Sequence, residues 1–142
     1  MTAQIEIYNP KSMGTPLGQY SQVTRVKASE YLFIAGQLAT DTAGNIVGKG
    51  DFDAQCGQIF ANIQLALESA GASWRNVVQF TTYMVHSQDI PSFMKFRLRE
   101  FPKFFPNGAF PPNTLLMIDR LVEEQCLIEV QAIAALYPAG AS

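Results

Sequence analysis

Residues 127–134 read LIEVQAIA, a run of mostly apolar residues that is typical of a β-strand packed on both faces. Glu129 is the one charged residue in this run. Burying an unpaired carboxylate is costly, so Glu129 must be neutralised, be hydrogen-bonded, or face a wet cleft or a partner subunit. A cleft would make Glu129 a candidate for chemistry. The alternative is that the strand lies at an edge of its sheet and that Glu129 points into water.

Length and composition predict a soluble protein with one domain over residues 1–142. Apolar residues make up 48% of the chain, but their longest runs are far shorter than the roughly 18 residues that suggest a membrane span. The first residues show no basic stretch followed by an apolar one, so we expect a cytoplasmic location. Cys56 and Cys126 are interpreted as buried packing thiols, because a core of this size needs no disulfide.

The net charge of −2 argues against nucleic acid as a partner, since the whole chain would repel a polyanion. Residues 93–103 are a local exception in which basic and aromatic residues alternate. At helical spacing this segment predicts an apolar inner face and a solvated basic outer face. The predicted inner residues are Phe93, Phe96, Leu98 and Phe101, and the predicted outer residues are Lys95 and Arg99.

The order of the predicted elements indicates an α+β fold with two helices on one face of a mixed sheet. Residues 23–26 and 31–37 flank a short polar turn and predict a β-hairpin. A long amphipathic helix is expected between a capping residue, Asp51, and Gly71. The other predicted strands are residues 5–8, 77–85, 115–118 and 127–136, and a second helix is predicted over residues 91–101.

Several familiar catalytic designs are excluded by what the chain lacks. His86 is the only histidine, which rules out histidine-rich metal sites and leaves one residue for any histidine-based triad. Residues 44–50, GNIVGKG, lack the spacing and the hydroxyl residue of a phosphate-binding loop. Glu123 and Glu124 are neighbours in a turn, unlike the paired carboxylates of a glycosidase. We therefore expect a protein that works without a cofactor or a metal.

Several segments, in this order and spacing, resemble the Rid family (YjgF-type, reactive intermediate deaminases). The resemblance covers residues 16–136 and includes a helix that ends in Ala-Gly-Ala, the strand of residues 76–84, and Phe110-Pro111. The three clearest motifs are QYS at residues 19–21, YLFIAGQ at residues 31–37 and IEVQAIA at residues 128–134.

This resemblance implies a chorismate-mutase-like fold with a six-stranded mixed sheet, assembled as a homotrimer with clefts between subunits. It also implies cofactor-free hydrolysis of 2-imino and 2-aminoacrylate compounds to 2-keto acids and ammonia. In such enzymes a strand glutamate positions or activates water, while a tyrosine and the backbone near a Gly-Gln pair shape the pocket. Tyr20, Gly36, Gln37 and Glu129 occupy the corresponding positions.

The family's arginine, which grips the substrate carboxylate, is missing from this chain. Pro112-Asn113 stands where the deaminases have Ala-Arg, and Leu115 stands where a cysteine often follows. Ala35 replaces the common serine before Gly-Gln, and Arg97 falls near a position usually held by asparagine. These departures predict that ordinary deaminase activity is weak or absent and that the ligand has changed, away from small free 2-imino acids.

Two replacements for the lost arginine are open. Arg97 or Arg120 could hold an anion from another direction, or Asn113 and Glu129 could recognise a neutral ligand. Three function classes follow: a small-molecule hydrolase of enamine, imine or related C–N compounds, a non-catalytic ligand-binding or chaperone-like trimer, and an endoribonuclease.

Overall fold

A computed structural model describes residues 4–137 and contains six strands and two α-helices. In chain order these are β1 (Gln4–Tyr8), β2 (Val23–Lys27), β3 (Glu30–Gln37), α1 (Phe52–Ser69), β4 (Val77–Met84), α2 (Ile90–Phe104), β5 (Asn113–Met117) and β6 (Ile128–Leu136). Short 3₁₀ turns at Trp74–Asn76 and Ser87–Asp89 precede β4 and α2. The α+β class is as predicted.

The six strands lie in two sheets, which corrects the expected single six-stranded sheet. The larger sheet has the order β3-β6-β4-β5, in which β6 runs antiparallel to both neighbours and β5 runs parallel to β4. The smaller sheet pairs β1 with β2. A hydrogen bond from Thr24 Oγ1 to the Val78 carbonyl (2.8 Å) connects it to β4.

The predicted hairpin between β2 and β3 is wrong, because β2 pairs with β1 and β3 pairs with β6. Ala28-Ser29, which links the two strands, is not one of the residue pairs whose left-handed conformations favour a tight hairpin. The strands were recognisable from local pattern. Their partners are set by long-range packing.

Both ends of α1 follow the predicted chemistry. The Asp51 carboxylate caps the first turn by accepting a hydrogen bond from the Ala54 amide (3.1 Å). At the other end Gly71 has a positive φ of 71°, and the Ala72 amide donates to the Leu67 carbonyl (2.9 Å). This arrangement satisfies carbonyl groups that the last helical turn leaves free.

The helix α2 is longer than predicted and differs on one face. It continues through Pro102 to Phe104, because a proline near the end of a helix disrupts only the last turn. Leu98 is 64% exposed, so its predicted inward orientation is wrong, and Arg97 is buried in its place. The predicted inner phenylalanines are buried: Phe93, Phe96 and Phe101.

The hydrophobic core fills the space between the two helices and one face of the larger sheet. Alternate residues of β6 point into it, and an aromatic cluster centred on Phe60 packs between α1, α2 and β4. Cys56 and Cys126 are buried and free, as predicted, and burial raises the pKa of both thiols.

The opposite face of the sheet has no covering element among residues 4–137. In this part of the chain no helix is long and apolar enough to cross a membrane.

Candidate active site

Glu129 lies on β6, in the middle of the larger sheet, and its side chain points to the uncovered face. The edge-strand alternative is therefore wrong, because β6 is bounded by β3 and β4. Ile128 and Val130, on either side of Glu129, are fully buried in the core. Glu129 itself is half-buried, and its carboxylate forms no hydrogen bond or ion pair with any residue that the structure describes. Burial raises the pKa of its carboxyl group above the ordinary value.

Gly36 lies directly beneath the Glu129 side chain. The pairing of β3 with β6 shifts between Ile34 and Gln37, which places a β-bulge at Ala35-Gly36. A Cβ atom on Gly36 would lie 2.5 Å from Glu129 Oε2 and 2.9 Å from Glu129 Cγ. Glycine is thus required for the carboxylate to pack against the bulge.

Gln37 and Ala35 complete this group, because Gln37 Nε2 donates a hydrogen bond to the Ala35 carbonyl (3.0 Å). Four predicted residues therefore lie together at one end of β3 and β6: Ala35, Gly36, Gln37 and Glu129. The arrangement offers a carboxylate beside irregular backbone, on a sheet face that no other described element covers.

Tyr83 and Gln131 share this face and were missed by the sequence analysis. Tyr83 is the direct cross-strand partner of Glu129. Its hydroxyl donates to Gln131 Oε1 (2.9 Å), two residues further along β6. Side chains alternate between the two faces of a sheet along a strand, so Gln131, two residues after Glu129, must share its face. This alternation was the signal that could have found Gln131.

Within one chain, Asn113 does not lie next to Glu129. It begins β5 beside Phe80, and its Oδ1 accepts a hydrogen bond from Thr82 Oγ1 (2.7 Å). The Thr82 side chain is buried on the helix-covered side of the sheet. Asn113 and Glu129 therefore belong to opposite faces, and the amide oxygen of Asn113 is already used internally.

Tyr20 lies in the loop between β1 and β2, close to α2 rather than to the bulge. Its hydroxyl oxygen accepts a hydrogen bond from the Leu17 amide (3.2 Å). Burial lowers the pKa of the Arg97 guanidinium, and the nearby Tyr20 side chain partly opposes this shift. The two predicted residues are thus neighbours.

Arg97 is the most unusual charged group in the protein. It is only 3% exposed, and its Nε and Nη1 atoms have no partner among residues 4–137. Nη2 contacts the Met94 sulfur (3.1 Å), a weak acceptor, and the guanidinium lies over the Phe93 ring (4.5 Å from the centroid). Arginine is almost never fully buried unless it is paired, and leaving a buried charge unpaired costs about 3–5 kcal/mol.

Arg120 is engaged in its own loop. Its guanidinium donates to Glu124 Oε1 (2.8 Å) and to the carbonyls of Leu121 (3.0 Å) and Val122 (3.1 Å). These contacts give Arg120 a local role in shaping the turn before β6.

A cavity of about 510 Å³ lies at the other end of the sheet, between β1 and the end of α2. It is lined mainly by apolar and aromatic residues, including Ile5, Trp74 and Phe104. None of the predicted site residues lines it, so the candidate site is the half-buried Glu129 and its surroundings. No cluster of three or more His, Cys, Asp or Glu suited to a metal ion occurs in the described part of the chain.

These features define a class of small α+β proteins, with two helices on one face of a mixed sheet and a strand glutamate over a glycine on the other. Residues 11–136 match the family model described as Endoribonuclease L-PSP, and the chain belongs to this family, the YjgF/Rid family. The resemblance found in the sequence is confirmed.

Known relatives span nearly the whole chain. A RutC family protein of Pyrococcus horikoshii is 33% identical over 129 residues, which is 91% of this chain and 96% of that relative. The Rid-family protein YyfB of Yersinia pestis has a structure that matches with a TM-score of 0.82 at 30% identity, over 93% of this chain and 98% of that one. The yjgF gene product of E. coli matches in fold, with a TM-score of 0.67 at 22% identity over 92% and 98% of the two chains.

Proposed function

We propose that this protein is a cofactor-free hydrolase of the deaminase type that acts on imine, enamine or related C–N compounds in a cleft between the subunits of a homotrimer. The observation that carries the proposal is the unpaired, half-buried Glu129 carboxylate, which is held against Gly36 on the uncovered face. A general base needs free lone pairs and a pKa closer to neutrality than that of an exposed glutamate. Glu129 has both properties.

The chemistry requires only water and one carboxylate. Water oxygen bonds to C2 of the protonated imine while Glu129 accepts a water proton, which gives a 2-amino-2-hydroxy acid. Glu129 then returns this proton to the amino nitrogen and the C–N bond breaks. Ammonia leaves and takes up the hydroxyl proton as the carbonyl forms, so one protonated imine and one water give one keto acid and one ammonium ion.

The inter-subunit cleft is supported by the character of the uncovered face. Phe33 is 78% exposed, and Tyr31, two residues away on the same face of β3, is also exposed. Large apolar side chains that are exposed next to one another are typical of an interaction site. A second copy of the chain would cover this surface and turn the open position of Glu129 into an enclosed one.

Two other functions define the alternatives. A non-catalytic ligand-binding trimer is favoured by the asparagine at position 113, which cannot form the bidentate contact of an arginine. An endoribonuclease is suggested by the description of the family model and by similar solved structures that are described as putative endoribonucleases. The net charge of −2 and the single histidine oppose RNA binding and histidine-based cleavage of RNA. Binding of RNA would depend steeply on salt, whereas binding of a small neutral ligand would not.

Imine hydrolysis tests the proposal directly. An amino acid oxidase generates 2-imino acids, and semicarbazide traps what the protein has not hydrolysed. We expect the parent to reduce the trapped imine and Glu129→Gln to lower kcat by about 10²–10⁴-fold, the usual contribution of a general base. Glu123→Gln, the same change on an exposed residue of a turn, should hydrolyse imine at the parental rate. Equal turnover by Glu129→Gln and the parent would remove Glu129 from the mechanism.

A further inference from the structure

We propose that the cavity between β1 and the end of α2 is a second ligand site, which binds small aromatic compounds that carry one carboxylate. The inference is independent of the proposed hydrolase. The cavity adjoins Leu136 on the helix-covered side of the sheet, whereas Glu129 lies near the start of β6 and on the opposite face. The rise of a strand separates these two positions by roughly 23 Å, so one small molecule cannot contact both.

The walls of the cavity are suited to a flat apolar ligand. Its volume of about 510 Å³ falls within the range that is usual for small-molecule sites, roughly 300–1,000 Å³. Trp74 and Phe104 stack with their ring centroids 4.3 Å apart, and both rings line the cavity. Ile5 and Ile7 of β1 add aliphatic side chains. An aromatic ring can pack on such a surface through offset or edge-to-face contacts.

Trp74 and Arg75 supply hydrogen-bond donors that have no partner. The indole Nε1 of Trp74 donates to no acceptor among residues 4–137, although the side chain is half-buried. An indole nitrogen can donate but cannot accept, and when it is buried it usually finds an acceptor. Arg75 also lines the cavity, and its guanidinium forms no hydrogen bond or ion pair with the described part of the chain.

The other polar groups of the cavity favour a ligand that accepts hydrogen bonds. None of the lining residues that the structure describes is an aspartate or a glutamate. Asn76 is already engaged, since its Oδ1 accepts from the Ser73 amide (3.0 Å) and its Nδ2 donates to the Ala135 carbonyl (3.0 Å). Asn107 Oδ1 accepts from the Ala109 amide (3.1 Å), whereas its Nδ2 donates to no described residue.

The groups left without partners on Trp74, Arg75 and Asn107 are therefore all donors, and one of them is a cation. A carboxylate complements them, because hydrogen bonds to a charged acceptor are stronger than those to a neutral one. Arg75 is exposed, so water weakens its attraction for the carboxylate. We expect the apolar walls to contribute most of the affinity and Arg75 to select the charged compound over its neutral analogue.

Phenylacetate is the probe for this site, and the tryptophan provides the signal. Trp74 is the only tryptophan in the chain, so its indole N–H resonance in a nitrogen–proton correlation spectrum reports on this cavity alone. Acetate keeps the carboxylate without the ring, and phenylacetamide keeps the ring without the charge. Arg75→Met removes the cation. Lys95→Met is the matched control, because it removes an exposed positive charge from a part of α2 that does not line the cavity.

We expect phenylacetate to shift the indole resonance of the parent saturably, with a Kd on the order of 1 mM for a ligand of this size. Arg75→Met should weaken phenylacetate binding about 5-fold, the upper end of the effect of an exposed ion pair. Lys95→Met should bind phenylacetate as the parent does. Phenylacetamide should bind the parent and Arg75→Met equally, and acetate should cause no saturable shift in the same concentration range.

Three outcomes would overturn the site: no saturable shift with phenylacetate, the same phenylacetate affinity in Arg75→Met and the parent, or an acetate affinity equal to that of phenylacetate. The first would mean that the cavity takes no such ligand, the second that it does not select a carboxylate, and the third that its apolar walls are not used. Glu129→Gln separates this site from the hydrolase. It should lose imine hydrolysis and bind phenylacetate like the parent, and loss of the indole shift in Glu129→Gln would also contradict a separate site.

Discussion

Glu129 connects the proposed chemistry to the stability of the protein. Burial raises the pKa of its carboxyl group, so the folded chain holds the proton more tightly than the unfolded chain does. Binding of this proton therefore stabilises the folded protein. The stabilisation is fully present below the pKa of the unfolded state, about 4.3, and is lost as the pH rises through the higher pKa of the folded state. Ionised Glu129 therefore lowers the free energy of unfolding at neutral pH.

Glu129→Gln should remove this pH-dependent cost. We expect the variant to be more stable than the parent at pH 7 and to lose this advantage near pH 4, where the parental carboxyl group is protonated. Urea unfolding of both proteins at the two pH values measures the difference. The same stability difference at both pH values would show that the carboxyl group titrates normally in the folded protein.

Gly36→Ala should damage the site without unfolding the protein. The added Cβ would lie 2.5 Å from Glu129 Oε2, so the carboxylate must move by an ångström or more from the bulge. We expect kcat for imine hydrolysis to fall on the order of 10²-fold, the usual effect of such a misplacement. The melting temperature should change little, because the carboxylate can turn towards the open face.

Gly57→Ala is the control for this substitution. Gly57 lies in α1 with nothing within 4 Å of the Cβ position. Alanine there should leave activity unchanged and stabilise the helix by roughly 0.5–1 kcal/mol. Similar kcat values for the two alanine variants would show that the packing of Glu129 on Gly36 has no role in turnover.

The start of β6 is held by a buried glutamine of α1. Gln55 Nε2 donates to the carbonyls of Gly48 (3.1 Å) and Gln125 (2.9 Å), and its Oε1 accepts from the Leu127 amide (2.8 Å). The side chain is fully buried, and all its contacts are with backbone groups of two loops. Gln55 therefore fixes the strand that carries Glu129.

Gln55→Leu should lower the free energy of unfolding by about 1–3 kcal/mol, because it leaves buried backbone groups without partners. Since Leu127 lies two residues before Glu129, kcat should fall as well. Gln64→Leu is the comparison on the exposed side of α1 and should change stability by no more than about 0.5 kcal/mol. Chemical denaturation measures both variants. A Gln55→Leu protein as stable as the parent would mean that the two loops need no such tether.

The sequence was sufficient for features determined by neighbouring residues. Asp51 and Gly71 mark the ends of α1. The resemblance to the Rid family, and not local pattern, grouped Gly36 with Glu129, and these two residues are in contact at the bulge. The partner of β2 was not predictable in this way, because pairing depends on which faces are buried in the whole fold. Gln55 was missed because a polar residue on a helix reveals its role only when its distant partners are known.

Arg97 illustrates a different limit of sequence analysis. Position and charge made it one of two candidate anchors, but nothing local distinguished it from Arg120. The structure separates the two, since Arg120 donates to its own loop and Arg97 has free donors. Burial and partners are properties of the assembled chain, so they could be obtained only from the fold.

At the scale of the whole molecule, the uncovered sheet face exposes apolar side chains that no other part of the described chain covers. One face of the larger sheet packs against both helices, while the other exposes Phe33 opposite Ile133. Removing such apolar area from water contributes roughly 25 cal/mol per Å² to association. The proposed trimer would bury this face and enclose Glu129 in the same step, so assembly and activity should be lost together.

Phe33→Glu tests this link, because it places a charge on the sheet face that the proposed trimer would bury. We expect the parent to have three times the 15.6 kDa mass of the chain by light scattering, and the variant to have the mass of one chain and to be inactive in imine hydrolysis. Leu98→Glu is the control, since Leu98 is similarly exposed but lies on α2, away from the uncovered face. It should keep the parental mass and activity. A parent with the mass of one chain would contradict the trimer, and an active monomeric Phe33→Glu would show that each chain holds a complete site.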